Sequence, residues 1–201
     1  MIMKLNSKKK MAGLTMIEIL VTLIVLSIGL LGMAALQLTG LRSANGSIYR
    51  TQATLLADDI AERMRANPSA VDGNAFMAIN SATINCATNP NPYCGEYYNG
   101  TALIAAQSCT TAEMATYDIN VWFCGERNSG ARRGGVQALL AQATATITCT
   151  DVNPSAGADA DPCTNRSSRH TITLGWSELN PNRSAGAAAT VNQSVAITVQ
   201  P

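Results

Sequence analysis

Positive charge is scarce in this 201-residue chain, and lysine is absent after Lys10. Charged residues make up only 13% of the sequence. Once the four lysines at the N-terminus are set aside, ten arginines face 13 acids, a net charge of about −3. Because nucleic-acid binding requires a basic surface, this balance excludes DNA or RNA as the expected partner. Arg132 and Arg133 form an isolated basic pair, which we expect in a solvated loop.

Histidine is rarer still, and its scarcity bears on catalysis and metal binding. His170 is the single histidine, and no CxxC pair accompanies it. Since zinc sites need several clustered ligands, we expect no metal and no cofactor. The sequence also lacks a nucleophile elbow, a paired-carboxylate motif and a phosphate-binding glycine loop. We therefore predict that the protein is not an enzyme and that His170 is an ordinary strand residue.

Large core-forming residues are sparse, with aromatics at 4% of the chain, whereas cysteine is plentiful for a protein of this size. An even number of cysteines in an exported domain predicts disulfides, which compensate for a small core. The sequence leaves the pairing open, although the nearest-neighbour pairs Cys86 with Cys94, Cys109 with Cys124 and Cys149 with Cys163 are the most natural. The six candidates are Cys86, Cys94, Cys109, Cys124, Cys149 and Cys163.

The N-terminal region contains a long apolar run. Ile19 to Leu41 comprises 23 residues without Lys, Arg, Asp or Glu, and about 20 are enough to cross the hydrocarbon core of a bilayer. All the lysines precede this run, and basic residues next to a membrane helix remain on the cytoplasmic side. We predict a single membrane-spanning helix with a cytoplasmic N-terminus, which places the rest of the chain on the opposite side.

Three other interpretations of the run compete: a permanent signal anchor, a cleaved signal peptide and a buried core helix. Gly32-Met33-Ala34 has the small-x-small pattern of a secretory cleavage site. Two observations oppose cleavage there. An acid, Glu18, lies within the apolar block, and the helical pattern continues well past Ala34.

A short motif joins the lysines to the apolar run. Gly13 is followed by Leu14 and Thr15 and then by Glu18, five positions after the glycine. A lysine-bearing leader with this order of residues resembles the class III signal of type IV pilins. The resemblance implies cleavage between Gly13 and Leu14 by prepilin peptidase, with methylation of the new N-terminal amine of Leu14. This chain has leucine where phenylalanine is commoner.

The resemblance extends over residues 13 to 68 and includes the stretch GLLGMAALQLTGLRSANGSIYRTQATLLADDIAERMRANP. This stretch is similar to the PilV family of minor pilins. The implied fold is α+β and type IV pilin-like, with a long N-terminal α-helix packed on a small antiparallel β-sheet head. The implied partners are the major pilin, other minor pilins, a tip adhesin, prepilin peptidase and the inner-membrane assembly platform.

Glu18 is the residue on which this interpretation depends. A carboxylate in a low-dielectric environment must be neutralised or find a positive partner, and the amine released at Leu14 is available at a similar depth. In related pilins this acid guides docking of a subunit into the filament, and the resemblance assigns that assembly role to Glu18. The alternative is an acid that only complements the helix dipole.

We predict one helix from Leu14 to Ala66, ended by Asn67-Pro68 because the residue before proline is disfavoured in a helix. The predicted segments are a leader (1–13), a membrane or filament-core half (14–41), an amphipathic half (42–67) and a head (68–201). The amphipathic half carries a predicted apolar stripe, which consists of Leu41, Ala44, Ile48, Leu55, Leu56, Ile60 and Met64.

Periodicity in the head predicts helices first and strands later. Thr110 and Glu113 have capping-box spacing, which predicts a helix over 111–123, and a second helix is expected over 137–143. Alternating, Thr-rich segments predict strands at 145–149, 170–174 and 194–199. We expect these strands to form an antiparallel sheet against the amphipathic half of the long helix.

The sequence thus predicts a minor pilin that joins a tip or priming complex, initiates type IV pilus assembly and supports adhesion and twitching motility. It would lie in the inner membrane with a periplasmic head before assembly, and at the pilus tip or in the filament afterwards. One alternative is a minor pseudopilin of a type II secretion system. Another is a signal-anchored periplasmic binding or enzymatic domain.

Overall fold

The computed structural model describes residues 13, 15–150, 163, 168–180 and 188–201. The chain divides into two compact units, Met1–Asn45 and Gly46–Pro201. We refer to the described part of the first unit as the apolar segment and to the second unit as the head.

Helix α1 is Met16–Ala66, which agrees with the predicted end of the long helix. The backbone leaves the helical region at Asn67, with φ −126° and ψ 64°, because proline follows. Pro68 then begins a short helix, α2 (Pro68–Asp72), which the sequence pattern did not predict. Proline suits the first position of a helix because its missing N–H group would have no helical partner there.

The buried face of α1 within the head differs from the predicted stripe. Ile60 and Met64 are buried as expected, but Ile48 and Leu55 are 52% and 64% exposed, so the prediction is wrong for them. Alanines complete the buried face instead. Small side chains let a helix approach its neighbours closely, yet they contribute little to a hydrophobic pattern. The buried residues of α1 are Ala53, Ala57, Ile60, Ala61 and Met64.

The main sheet of the head is antiparallel, with the strand order β1-β6-β7-β8. The three predicted strands are confirmed and are longer than expected, because the alternating pattern continues beyond the segments first identified. The four strands are β1 (Ile79–Asn80), β6 (Thr144–Thr150), β7 (Arg169–Leu179) and β8 (Thr190–Val199).

Alternation along these strands separates a buried face from an outer face. Ile147 on β6 pairs with Ile172 on β7, and Ile172 pairs with Ile197 on β8. Ile147 and Ile172 belong to the same buried cluster as Ala57 and Ile60 of α1. The predicted α+β class, with a helix packed on an antiparallel sheet, is therefore confirmed.

A second, mixed sheet was not predicted. Its order is β3-β2-β4-β5, and β2 pairs with β4 in parallel through Tyr98 and Asn128. Segments of two or three residues are too short to display a strand period, which explains why these strands were not predicted. The strands are β2 (Tyr97–Tyr98), β3 (Leu103–Ile104), β4 (Glu126–Asn128) and β5 (Ala131–Arg133).

Helix α3 (Thr111–Cys124) confirms the predicted capping box. The Thr110 hydroxyl accepts a hydrogen bond from the Glu113 N–H at 3.3 Å, and the Glu113 carboxylate accepts one from the Thr110 N–H at 2.8 Å. Helix α4 (Val136–Leu139) is shorter than the predicted 137–143 segment. It stops because Leu140 is extended, with φ −118°.

Candidate assembly site

Glu18 lies in the first turn of α1, where its side chain is exposed. The Thr15 carbonyl accepts hydrogen bonds from the N–H groups of Glu18 at 3.1 Å and of Ile19 at 3.3 Å. An acid in the first turn is favoured by the partial positive charge of a helix N-terminus. Gly13 is exposed, with open space beside its Cα. Leu14, the expected cleavage and methylation residue, lies outside the described residues.

The apolar segment meets the length and composition requirements of a membrane span. Its most apolar 18-residue window has a mean hydropathy of 2.7, and none of that window is buried within the molecule. Leu31 and Leu36, for example, are 71% and 75% exposed. Since exposed apolar surface costs about 25 cal/mol per Å² in water, this helix requires a lipid environment or contacts with other subunits.

Three hydroxyls of the apolar segment are satisfied within the helix. Thr22 donates to the carbonyl of Ile19 at 2.8 Å, and Ser27 donates to that of Leu23 at 2.7 Å. Thr39 donates to the carbonyl of Leu36 at 2.9 Å. Because unsatisfied polar groups are costly in hydrocarbon, these bonds make the helix compatible with a membrane.

Glu18 is accordingly the single ionisable side chain between Lys10 and Arg42. Its carboxylate can accept hydrogen bonds from a cationic donor, and the nearest source along the sequence is the amine that cleavage before Leu14 would release.

In the head, three disulfides involve all six cysteines. Cys149 pairs with Cys163, with Cα atoms 6.3 Å apart, in agreement with the expected loop closure. The other two expected pairings are wrong. Cys86 pairs with Cys124 and Cys94 pairs with Cys109, at Cα separations of 5.4 and 5.8 Å.

The two corrected disulfides have different places in the head. Cys124 is the buried last residue of α3, where it belongs to the core cluster together with the partly buried Cys86. The Cys94–Cys109 bond instead closes the chain that contains β2 and β3. Nearness in sequence was therefore a poor guide, because packing of the helix end brought a residue 38 positions away into contact.

Arg132 is also placed differently from the solvated loop that we expected. Its guanidinium donates to the carbonyl of Thr88 at 2.8 Å and to the Asn120 amide oxygen at 2.9 Å. It also donates to the carbonyl of Gly125 at 3.1 Å and to the amide oxygen of Asn89 at 3.2 Å. Desolvation by burial lowers the pKa of Arg132. Its side chain thus ties α3 and β5 to the segment before β2.

Helices α1 and α3 are held together by two polar contacts. The indole N–H of Trp122 donates to the carbonyl of Leu56 at 2.7 Å. Arg63 donates to Asp118 at 3.0 Å and forms an ion pair with Asp59 at 3.2 Å. Burial raises the pKa of Asp118, although the hydrogen bond from Arg63 opposes that shift. Trp122 is 1% exposed and belongs to the hydrophobic core.

An aromatic cluster beside the mixed sheet went unnoticed in the sequence. The ring of Tyr93 makes edge contacts with the rings of Tyr97 and Tyr117, at centroid distances of 4.8 and 4.9 Å. Burial, reinforced by Tyr93, raises the pKa of Tyr117 to about 12. A side chain at Gly95 would overlap the Tyr117 hydroxyl, so glycine is required there. These three rings therefore pack against one another within the head.

His170 is 1% exposed on the inner face of β7. Burial lowers its pKa, and a backbone hydrogen bond with Ser168 opposes the shift. Its Nδ1 atom has no hydrogen-bond partner in the described part of the chain. Across those same residues, no three His, Cys, Asp or Glu side chains are grouped so as to hold a metal ion.

Two family models match the chain, and each match includes part of α1. A family model described as Type IV pilin Tt1218 matches residues 35–120. A model described as Prokaryotic N-terminal methylation motif matches residues 8–34. These two matches support a type IV pilin. No curated protein and no solved structure matches it.

The long helix and the antiparallel sheet form the fold expected from the sequence resemblance. The methylation-motif match includes Gly13, Leu14 and Glu18. A type IV pilin is a structural subunit that assembles with other pilins and is processed by prepilin peptidase. Its apolar segment suits a membrane anchor. Arg132 and Tyr93 make contacts in the head that the sequence patterns did not predict, and these contacts stabilise the fold.

Proposed function

We propose that this pilin is a minor pilin of the PilV family, which joins a tip or priming complex that initiates type IV pilus assembly. Adhesion and twitching motility would follow from the assembled pilus. The observation that carries the proposal is Glu18, a lone carboxylate five residues after Gly13, which is followed by an uncharged run from Ile19 to Leu41. The similarity of residues 13 to 68 to the PilV family supports the minor-pilin assignment.

The proposed mechanism uses the charge that leader cleavage creates. Prepilin peptidase cuts between Gly13 and Leu14 and leaves a cationic amine, which N-methylation keeps cationic. The Glu18 carboxylate of one subunit pairs with the Leu14 amine of a neighbour inside the membrane or the filament core. The low-dielectric surroundings make an unpaired carboxylate costly, so the pairing selects subunits in the correct axial position.

The mature N-terminus provides the first test. Sequencing or mass spectrometry of the purified protein should begin at Leu14. A start at Met1 would indicate a signal anchor, and a start at Ala35 would indicate a secreted domain. Either result contradicts the proposal, because the amine that Glu18 needs would then be absent.

Substitution of Glu18→Ala tests the mechanism itself. Removing one member of a buried ion pair costs about 3–5 kcal/mol, so incorporation into pili should fall by about two orders of magnitude or more. Immunoblots of sheared surface pili measure incorporation, while membrane insertion and leader removal should be unchanged. Thr22→Ala, one turn further along the same helix, is the matched control. Normal incorporation of the Glu18 variant would contradict the proposed pairing.

The cellular role is tested in a deletion strain. We expect the partners to be the major pilin, other minor pilins, a tip adhesin and the inner-membrane assembly platform. Loss of this protein should therefore reduce surface pili and leave type II secretion intact. A secretion defect with normal piliation would instead identify a minor pseudopilin.

A further inference from the structure

Strand β8 ends the main sheet, and within the described ranges no strand pairs with its outer edge. Its 10 residues, Thr190–Val199, are in register with β7 along their whole length. Alternate N–H and C=O groups of such a strand point away from the sheet. An edge of this kind is a template for pairing with a further strand.

The usual protections of an exposed edge are missing from β8. Natural edge strands are short, charged, interrupted by proline or distorted by a bulge. Residues 190–199 contain no charged residue and no proline, and their register with β7 is unbroken. By contrast, β1 and β3 have two residues each, and β5 has three, including two arginines.

The core is incompletely covered along this edge. On β7, Ile172 and Leu174 are fully buried. Their partners on β8, Ile197 and Val195, are only partly buried although they pack on the same cluster. Val199 is likewise partly buried at the end of the row. A further strand with apolar side chains at every second position would cover the exposed flanks of this row.

A second copy of the same chain is an unsuitable partner for the β8 edge if the contact is to help a filament grow. Among the strands that the structure describes, β8 alone offers an edge of 10 residues. Two copies would therefore have to pair β8 with β8, which is a twofold contact that closes after two subunits. A subunit that helps a filament to grow needs a contact that does not close in this way.

We propose that the β8 edge binds an extended, uncharged segment of a different pilus subunit, with apolar side chains at alternate positions. The added segment becomes the fifth strand of the main sheet. This proposal rests on the proposed function, because it takes the partner to be another component of the pilus.

Site-specific photo-crosslinking in pilus-forming cells tests the proposal on the full-length chain. A photo-reactive residue at Ala196, which is exposed on β8, should crosslink to another pilus subunit, identified by mass spectrometry of the linked peptide. That peptide should alternate apolar and uncharged polar residues. The matched control is Thr144, which is exposed on β6. Because Thr144 lies away from the β8 edge, it should give no such product.

Two proline variants sharpen the test. Successive N–H groups of a strand point to opposite sides, so only one of Ser194→Pro and Val195→Pro removes a hydrogen bond to β7. The variant with the higher melting temperature is the one that alters the outward side. It should lose the Ala196 crosslink, whereas crosslinking at the wild-type level would overturn the proposal.

Other outcomes also overturn the proposed strand addition. These are a crosslink from Ala196 to a second copy, a crosslink to residues 151–167 of the same chain, equal crosslinking from Thr144, and no crosslink. Failure of the proposed function is separate, since it would appear as a mature N-terminus other than Leu14 or as normal piliation in the deletion strain. A strain that needs this protein for pili but yields no Ala196 product rejects only the strand addition.

Discussion

The apolar segment and the head of this protein are stabilised in different ways. Every described residue from 13 to 45 is exposed, and the segment relies on its own backbone hydrogen bonds. The head buries a continuous cluster from α1, α3 and the main sheet, and it adds three disulfides. The first region is therefore complete only in a lipid environment or among other subunits, whereas the second has its own core.

The difference shows how one helix can serve two environments. Before Arg42 the side chains of α1 are almost uniformly apolar, and alternation of apolar and charged positions begins only after it. Within the head the buried face is built largely from alanines such as Ala53 and Ala57. The hydrophobicity of the apolar segment therefore determines which surroundings it requires. In the rest of α1, the size of the side chains determines how closely the helix packs against the core of the head.

Removing disulfides should have the largest effect on the free energy of unfolding of the head, and it should leave the apolar segment unaffected. The paired change Cys86→Ala and Cys124→Ala opens a 38-residue loop and should lower the free energy of unfolding by about 4 kcal/mol. The same change at Cys94 and Cys109, which close a 15-residue loop, should cost about 3 kcal/mol. Both tryptophans are in the head, so their fluorescence during urea unfolding in detergent measures it selectively. Equal costs for the two loops would contradict the chain-entropy explanation.

The next effect contrasts two neighbouring arginines. Arg132→Ala removes four hydrogen bonds to the head and should lower the free energy of unfolding by roughly 2 kcal/mol, because it leaves acceptors such as the carbonyl of the buried Gly125 unpaired. Arg133→Ala is the control and should change stability by less than about 0.5 kcal/mol, as is usual at exposed positions. Similar values for both variants would show that Arg132 is not a structural centre.

Acidification should weaken the head through His170. Its folded pKa is lowered by burial from the ordinary value of 6.5, so the unfolded chain binds a proton first as the pH falls. Stability should therefore decrease below pH 6.5, by at most about 1.4 kcal/mol per pH unit. Urea unfolding between about pH 5.5 and 7 limits the contribution of carboxylates, whose ordinary pKa values lie near 4. A His170→Gln variant should lose this slope, and an unchanged slope would assign it to other groups.

The smallest expected effect concerns the start of α3. Thr110→Ala removes the capping hydrogen bond that the Glu113 N–H donates to the Thr110 hydroxyl, and it should cost about 1 kcal/mol. Thr116→Ala is the control, because its hydroxyl only bonds back to the Ala112 carbonyl within the helix. Helical signal from the apolar segment should be unaffected by either change. A larger loss for Thr116 would mean that the cap has little importance.

Local patterns predicted the elements that were long enough to have a period. The end of α1 at Ala66, the capping box at Thr110 and the three long strands all agree with the structure. The mixed sheet has no comparable signal, because its strands are two or three residues long. Arg132 also had none, since its acceptors, such as Thr88 and Asn120, are distant in sequence.

By itself, the sequence determined that the N-terminal helix suits a membrane and that Glu18 stands alone within it, because both are properties of a continuous stretch of residues. It also determined that six cysteines would compensate for a small core. Only the tertiary structure decided which cysteines pair, which face of α1 is buried and that β8 ends the sheet. These features depend on contacts between distant residues, which local composition and spacing do not encode.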